Sequence, residues 1–293
     1  MGIILGILEQ GLIYAILALG VYITYRILDF PDLSVDSTFP LGAAVTAVMI
    51  ANGVHPLLTL PASLIAGALA GMVTGLIHVK GKVRDLLSGI ITMTALYSIN
   101  LRIAGKANLP IFNMNTLFKN PLMDGLPASI APYAPVILLA VLAIVCKLIL
   151  DWFLKTKAGF LLRATGDNPN LVTSLAKDGG WVKIEGLAIA NGLTALSGCI
   201  MCQYQRYFDI SMGTGTMVVA LASVIIGINL FRRLTFVKAT TAVLVGSVLY
   251  KGCVAVALNF GFSPTDMKLI TAVLFLIILL AGSARKRRAK VHA

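Results

Sequence analysis

The sequence predicts an all-α, polytopic membrane protein of about nine transmembrane helices, and three observations carry that prediction. Only 12% of the 293 residues are charged, against 58% hydrophobic, where a soluble domain carries roughly 25% charged residues. The windows 37–79, 125–146, 186–205 and 210–231 hold no Asp, Glu, Lys or Arg, and each exceeds the ~18 apolar residues that mark a spanning helix. The Lys and Arg residues gather in a few short segments between these windows, as they do in the inner loops of membrane proteins.

In chain order, the first span covers about 2–25, with Glu9 its one charged residue. Glu9 falls near an end of that span, where a long side chain can reach the interface. Arg26 and a polar, breaker-rich stretch from Leu28 to Ser37 precede a short second span, 38–51, which Pro40 interrupts. Asn52-Gly53 signals a turn. The third span, 56–79, carries Gly67, Gly71 and Gly75 at every fourth position, a face on which another helix backbone can approach closely. Lys80-Gly81-Lys82-Val83-Arg84 forms a basic turn, and the fourth span, 86–103, is rich in Ser, Thr and Asn. Residues 105–132 read as a loop without regular pattern. Further spans are expected at 133–152, 184–203, 214–231, 234–258 and 267–282, followed by a basic tail, 283–293.

Between the fifth and sixth spans lies the longest polar interruption, 153–183. Within it, Gly166-Asp167-Asn168-Pro169 has the form of a helix start, with a capping residue and then Pro at the first helical position. The expected helix runs about two turns from Asn170 and stops at Asp178-Gly179-Gly180. A short capped helix on the basic face of a membrane protein reads as a docking element for another protein.

Eighteen of the 24 Lys and Arg residues fall on one side if nine spans are threaded: Arg26, Lys80, Lys82, Arg84, Lys147, Lys155, Lys157, Arg163, Lys177, Lys183, Arg232, Arg233, Lys238 and the five of the tail. That bias places the N-terminus outside and the C-terminus inside. The chain then divides into a first half (1–132), a linking span (133–152), a cytoplasmic loop (153–183), a second half (184–282) and the tail. The segment Asp32-Leu33-Ser34-Val35-Asp36-Ser37 recurs loosely as Asp209-Ile210-Ser211-Met212-Gly213-Thr214. With an odd linking span the two halves would be inverted, an arrangement in which broken helices line a transport path. The candidate path residues are Asp32, Ser34, Asp36, Ser37, Asp209 and Ser211, with Asn100 and Asn191. Two readings stay open: these groups face a polar path, or they cap and bridge helices.

Catalytic patterns are missing from the sequence. Gly75 and Gly81-Lys82-Val83 lack the spacing and the Ser or Thr of a nucleotide-binding loop. His55, His78 and His292 are scattered, and Cys199-Ile200-Met201-Cys202 has no second pair. No cofactor or metal is expected, and ATP hydrolysis is expected elsewhere than in this chain.

Two stretches carry a resemblance. Asp32-Leu-Ser-Val-Asp-Ser37 looks like the Asp-Leu-Ser-Val-Gly-Ser signature of ribose-type permeases, with Asp36 in place of Gly. Arg163-Ala-Thr-Gly-Asp-Asn-Pro-Asn170, Leu196-Ser-Gly198, Gln203-Tyr-Gln205 and Leu221-Ala-Ser-Val-Ile-Ile-Gly227 resemble permease subunits of bacterial ABC importers in the branched-chain amino acid and ribose superfamily. The similarity is strongest to the branch found with lipoprotein-type binding proteins, some of them linked to tryptophan and tyrosine. The resemblance implies a multi-pass protein of the bacterial plasma membrane that imports a small solute such as an amino acid. It further implies a second copy of the chain, a separate ABC ATPase and an extracytoplasmic binding protein as partners. Arg163, Gly166, Asp167, Asn168, Pro169 and Asn170 would form the coupling segment. A self-sufficient secondary transporter is the alternative, since it too uses inverted repeats.

Overall fold

The computed structural model describes residues 2–125, 127, 130–167, 178–232, 234, 236–259, 269–273 and 275–277. Helix α1 (Gly2–Val21) runs directly into a π-helical turn, Tyr22–Ile27. Helix α2 spans Val35–Ala51, a 3-10 turn at Pro56–Leu58 opens α3 (Thr59–Val79), and α4 covers Asp85–Ala104. Strand β1 (Asn108–Pro110) and the single turn α5 (Pro121–Asp124) precede α6 (Ala134–Phe153) and α7 (Lys157–Asp167). Helix α8 (Gly179–Gln205) leads to β2 (Tyr207–Asp209), a 3-10 turn at Ile210–Gly213, α9 (Thr216–Phe231) and α10 (Ala239–Asn259). Residues 269–273 and 275–277 are helical. The rest of the expected ninth span, 267–282, lies outside the described residues.

Among the described residues, seven helical segments are long and apolar enough to cross a membrane, and α2, with 17 residues, is a shorter apolar helix. Their apolar residues divide between protein and lipid. In α6 the buried residues Leu139, Ala143, Cys146 and Leu150 form one stripe at helical spacing, while Ile137, Val141, Ile144, Leu148 and Trp152 are exposed. Both faces are hydrophobic, so composition alone cannot tell the packed stripe from the lipid face. Helix α8 is the opposite case: 89% of its spanning window is buried, and it packs against α1, α2 and α3 as the axis of the molecule.

Glycine makes that axis possible. A Cβ at Gly75 would lie 2.9 Å from the Ile184 Cα, and one at Gly71 would collide with the Leu187 carbonyl. At Gly67 it would strike Asn191 and Ala195. The every-fourth-residue ladder is thus the seam between α3 and α8, as its spacing predicts.

Contacts gather the basic residues at one end of the bundle. The Lys80 ammonium lies 5.2 Å from the centre of the Trp181 ring, and Asp151 pairs with Lys147 at 3.0 Å and Lys238 at 3.1 Å. At the opposite end the Tyr204 hydroxyl donates to Glu9 at 2.7 Å, so Glu9 has a protein partner where the sequence pointed to an interfacial side chain. Gln203 ties this end together. Its amide donates to Thr59 Oγ1 at 2.9 Å, and its carbonyl accepts from the Leu117 N–H at 3.0 Å.

Two local expectations are corrected, and two helix starts flank an expected helix, 170–176, that lies outside the described residues. Gly166 and Asp167 are the last two residues of α7. The start lies at Thr156, whose Oγ1 accepts from the Gly159 N–H at 3.3 Å. Asp178 caps α8, accepting from the Gly180 N–H at 2.8 Å. Helix α2 begins at Val35 and continues through Pro40. Within 105–132, expected to be irregular, β1 pairs antiparallel with β2, setting Asn108 opposite Asp209 and Pro110 opposite Tyr207. Three residues with no alternation to read cannot announce a strand.

Candidate functional site

The candidate path residues separate into three groups. In the first, the Asp32 carboxylate accepts from the Ser34 N–H at 2.9 Å and from Asn191 Nδ2 at 2.7 Å. The Ser34 hydroxyl donates to Asn191 Oδ1 at 3.1 Å, and Asn191 Nδ2 also donates to the Leu187 carbonyl at 3.1 Å. All three side chains are fully buried. This closed network fastens the turn between α1 and α2 onto the axial helix, and every polar atom in it that could be orphaned by burial has a partner.

The second group joins helix ends. Asp36 lies in the first turn of α2, yet its carboxylate accepts from the Gly215 N–H at 3.0 Å, the Met217 N–H at 2.8 Å and the Thr216 hydroxyl at 3.1 Å. One carboxylate therefore sits between the N-termini of α2 and α9, where two positive dipole ends meet and where α9 would otherwise leave N–H groups orphaned. Nearby, Pro40 removes the N–H that would bond the Asp36 carbonyl. The Ser37 carbonyl accepts from Asn100 Nδ2 at 2.9 Å, so Asn100 braces α4 against this irregular turn.

The third group faces open space. Asp209 caps the 3-10 turn, accepting from the Ser211 N–H at 2.8 Å, and it also accepts from the Ser211 hydroxyl and from Asn108 Nδ2 at 3.2 Å. Burial pushes its carboxyl up, but the hydrogen bonds from Ser211 and Asn108 outweigh that push and hold it below the ordinary carboxylate value. Asp209 and Ser211 line a cavity of about 510 Å³ together with Asn108, Gln205, Tyr14 and Phe39. The Tyr14 and Phe39 rings are nearly parallel, 14° apart, with centroids 6.1 Å apart. A persistent negative charge beside amide groups and stacked rings suits an ammonium group carried on an aromatic or apolar body.

A second cavity of about 300 Å³ adjoins the first, since Tyr14 and Met212 line both. Thr216, Val219, Tyr250 and Lys251 complete much of its wall. Asp32, Ser34, Asn100 and Asn191 line neither cavity. Sequence reasoning did not single out Tyr14 or Phe39, because aromatic residues inside spanning helices carry no motif, and it quoted Gln205 only within the family resemblance, not as a path residue. The ribbon that brings Asn108 to Asp209 was equally hidden.

At the basic end, α7 rests on the rest of the molecule through small contacts. A Cβ at Gly166 would collide with the Ile27 carbonyl, and Leu162 and Leu28 both pack against Gly186. Arg163 lines a separate cavity of about 310 Å³ with Tyr22, Asp151, Lys155 and Lys238. Asn168, Pro169 and Asn170 lie outside the described residues.

Comparison with known proteins agrees with this arrangement. Residues 3–281 match the family described as branched-chain amino acid transport system / permease component. The tyrosine transport system permease protein of Clostridioides difficile (strain R20291) is 44% identical over 290 residues, 99% of this chain and 95% of that protein. The ribose import permease protein RbsC of Haemophilus influenzae is 28% identical over 225 residues, 76% of this chain and 68% of that protein. Among solved structures, PsaBC from Streptococcus pneumoniae in complex with Fab aligns with a TM-score of 0.52 over 93% of this chain and 89% of that one, at 12% identity; that likeness concerns the fold alone. With its family match along almost its whole length and its seven long apolar helices, this chain belongs to the branched-chain amino acid permease family of ABC importers and is a multi-pass permease subunit of the plasma membrane.

Proposed function

We propose that two copies of this chain form the membrane core of an ATP-driven importer for an amino acid, with L-tyrosine the first substrate to test. The cavity holding Asp209 carries this reading. It offers a carboxylate for the ammonium group and, for the side chain, the Tyr14 ring, which the fully buried Phe39 ring backs. The relative at 44% identity is a tyrosine transport permease, and that supports the choice of substrate. An extracytoplasmic binding lipoprotein delivers the solute at the Asp209 end, and a separate ABC ATPase docks at the basic end. The charge bias supports this orientation, with the N-terminus outside and the C-terminus inside.

The two halves are read as inverted repeats. Support comes from the matching bonds at their opening turns: Ser34 N–H to Asp32 at 2.9 Å and Ser211 N–H to Asp209 at 2.8 Å. Coupling runs along packed parts. The ATPase grips α7 and the segment after it, with Arg163, Gly166, Asp167, Asn168, Pro169 and Asn170 as its contact. Gly166 bears on Ile27, the following turn is tied by Asp32 to Asn191 of α8, and Asp36 holds the N-terminus of α9. Movement of α7 thereby reaches the wall of the cavity.

The test is charge reversal at the exposed Asp167. Asp167→Lys is expected to abolish co-purification of the ATPase while leaving the melting temperature of the permease unchanged. Normal co-purification of the ATPase with Asp167→Lys would remove Asp167 from the coupling surface.

A further inference from the structure

Lys251 is a cation on a spanning helix with only neutral partners among the described residues. It lies inside the apolar span Ala239–Ala257, eight residues before the Asn259 end of α10, or about 12 Å along the helix axis from that end at 1.5 Å per residue. A lysine near a helix end can extend its ammonium to the interface. The Lys251 Nζ lies 3.9 Å from the centre of the Tyr14 ring and 3.4 Å from Gln10 Oε1. Both ion pairs among the described residues involve Asp151, so no described carboxylate lies within 4.0 Å of Lys251. An intramembrane charge of this kind is costly and marks a substrate or ion path more often than a packing device.

The surroundings say what it would bind. Lys251 lines the 300 Å³ cavity, with Thr216 as a hydroxyl partner and Val219 and Val254 as apolar walls. That volume is at the lower end of the ~300–1,000 Å³ usual for small-molecule sites. Tyr14, under the Lys251 ammonium, also lines the Asp209 cavity. A solute leaving Asp209 past Tyr14 thus meets a positive charge next.

We propose that Lys251 is a substrate-binding residue of the path, receiving the carboxylate of a zwitterionic amino acid whose ammonium group is first met by Asp209. The inference rests on the amino acid importer reading and adds to it the class of substrate: a solute with a carboxylate, not a neutral sugar. A ring face holds an ammonium less firmly than a carboxylate does in the same low-dielectric setting. The arriving carboxylate therefore displaces Tyr14. Because a single cation and a hydroxyl hold it, it can leave again.

The experiment uses the complete importer, with ATPase and binding protein, in proteoliposomes supplied with labelled L-tyrosine. Lys251→Cys is made together with Cys253→Ala, since Cys253 is exposed whereas Cys146, Cys199 and Cys202 are buried. Uptake is expected to fall at least about tenfold, the scale of one charged hydrogen bond. Aminoethyl methanethiosulfonate, which puts an ammonium back at that position, is expected to restore it. The sulfonatoethyl reagent, which adds a negative charge, should not, and L-tyrosine should slow both modifications. Uptake that is indifferent to charge at position 251, or lost and not rescued by the aminoethyl group, overturns the inference. Uptake by the unsubstituted complex reads the importer assignment separately, and its absence would overturn both.

Discussion

At the scale of single residues, three acids of similar sequence context have different tasks. Asp32 is sealed against Ser34 and Asn191, Asp36 closes the N-terminus of α9, and Asp209 faces a cavity. The sequence offered all three as path residues, since an Asp one or two places before a Ser looks the same whether its outer oxygen meets an amide or open space. What separates them is the tertiary partner: Asn191 lies 159 residues from Asp32. The Asp209 carboxyl, held below its ordinary value by Ser211 and Asn108, keeps its charge at every pH above about 3.9. A depressed carboxyl contributes its interactions above the unfolded value and loses them only as the pH falls through the folded one. Uptake is therefore expected to show no titration from Asp209 between about pH 5 and 8. Asp209→Asn should raise the apparent KM for L-tyrosine about tenfold through the loss of one charge-assisted contact. Measured pH profiles of uptake by the two proteins check this; a midpoint above about pH 5 that Asp209→Asn removes would contradict it.

At the scale of elements, the small-residue face of α3 was legible and the ends of several helices were not. Glycines four apart can announce a close helix contact from sequence because only backbone approach requires them. The helix expected from Asn170 lies outside the described residues, while the starts of α7 and α8 were missed because Thr, Asp and Gly serve several kinds of turn. The deciding signals were Thr156 and Asp178 acting as caps. The seam between α3 and α8 gives a direct prediction. Gly71→Ala places a methyl against the Leu187 carbonyl, whereas the same change at Gly6 meets nothing within 4 Å. Gly71→Ala is expected to cost about 1–3 kcal/mol, the scale of overpacking, and Gly6→Ala less than about 0.5 kcal/mol. Thermal unfolding in detergent compares them. Equal melting temperatures would mean that α3 stands farther from the axial helix than the geometry indicates.

At the scale of the whole molecule, composition and charge made a polytopic membrane protein legible, and the quoted motifs pointed to the importer family that residues 3–281 match. The arrangement of that molecule was less accessible. Nothing in the chain's apolar runs singles out α8 as the axis, because Ile, Leu and Ala serve lipid and core alike. Nor could sequence spacing reveal that Lys251, Tyr14 and Met212 connect one cavity to the next. In the structure these cavities lie between the Asp209 turn and the spanning helices, while the candidate coupling helix α7 sits at the basic end. That separation of the proposed solute site from the proposed ATPase-coupling surface is what an ATP-driven permease needs, and it is the claim to test first. The measurement is uptake of labelled L-tyrosine by proteoliposomes holding the permease and its ATPase, with the binding protein outside and ATP within. The account predicts accumulation against a gradient that requires both ATP and the binding protein. Accumulation by the permease alone, driven by an ion gradient without ATP, would contradict it.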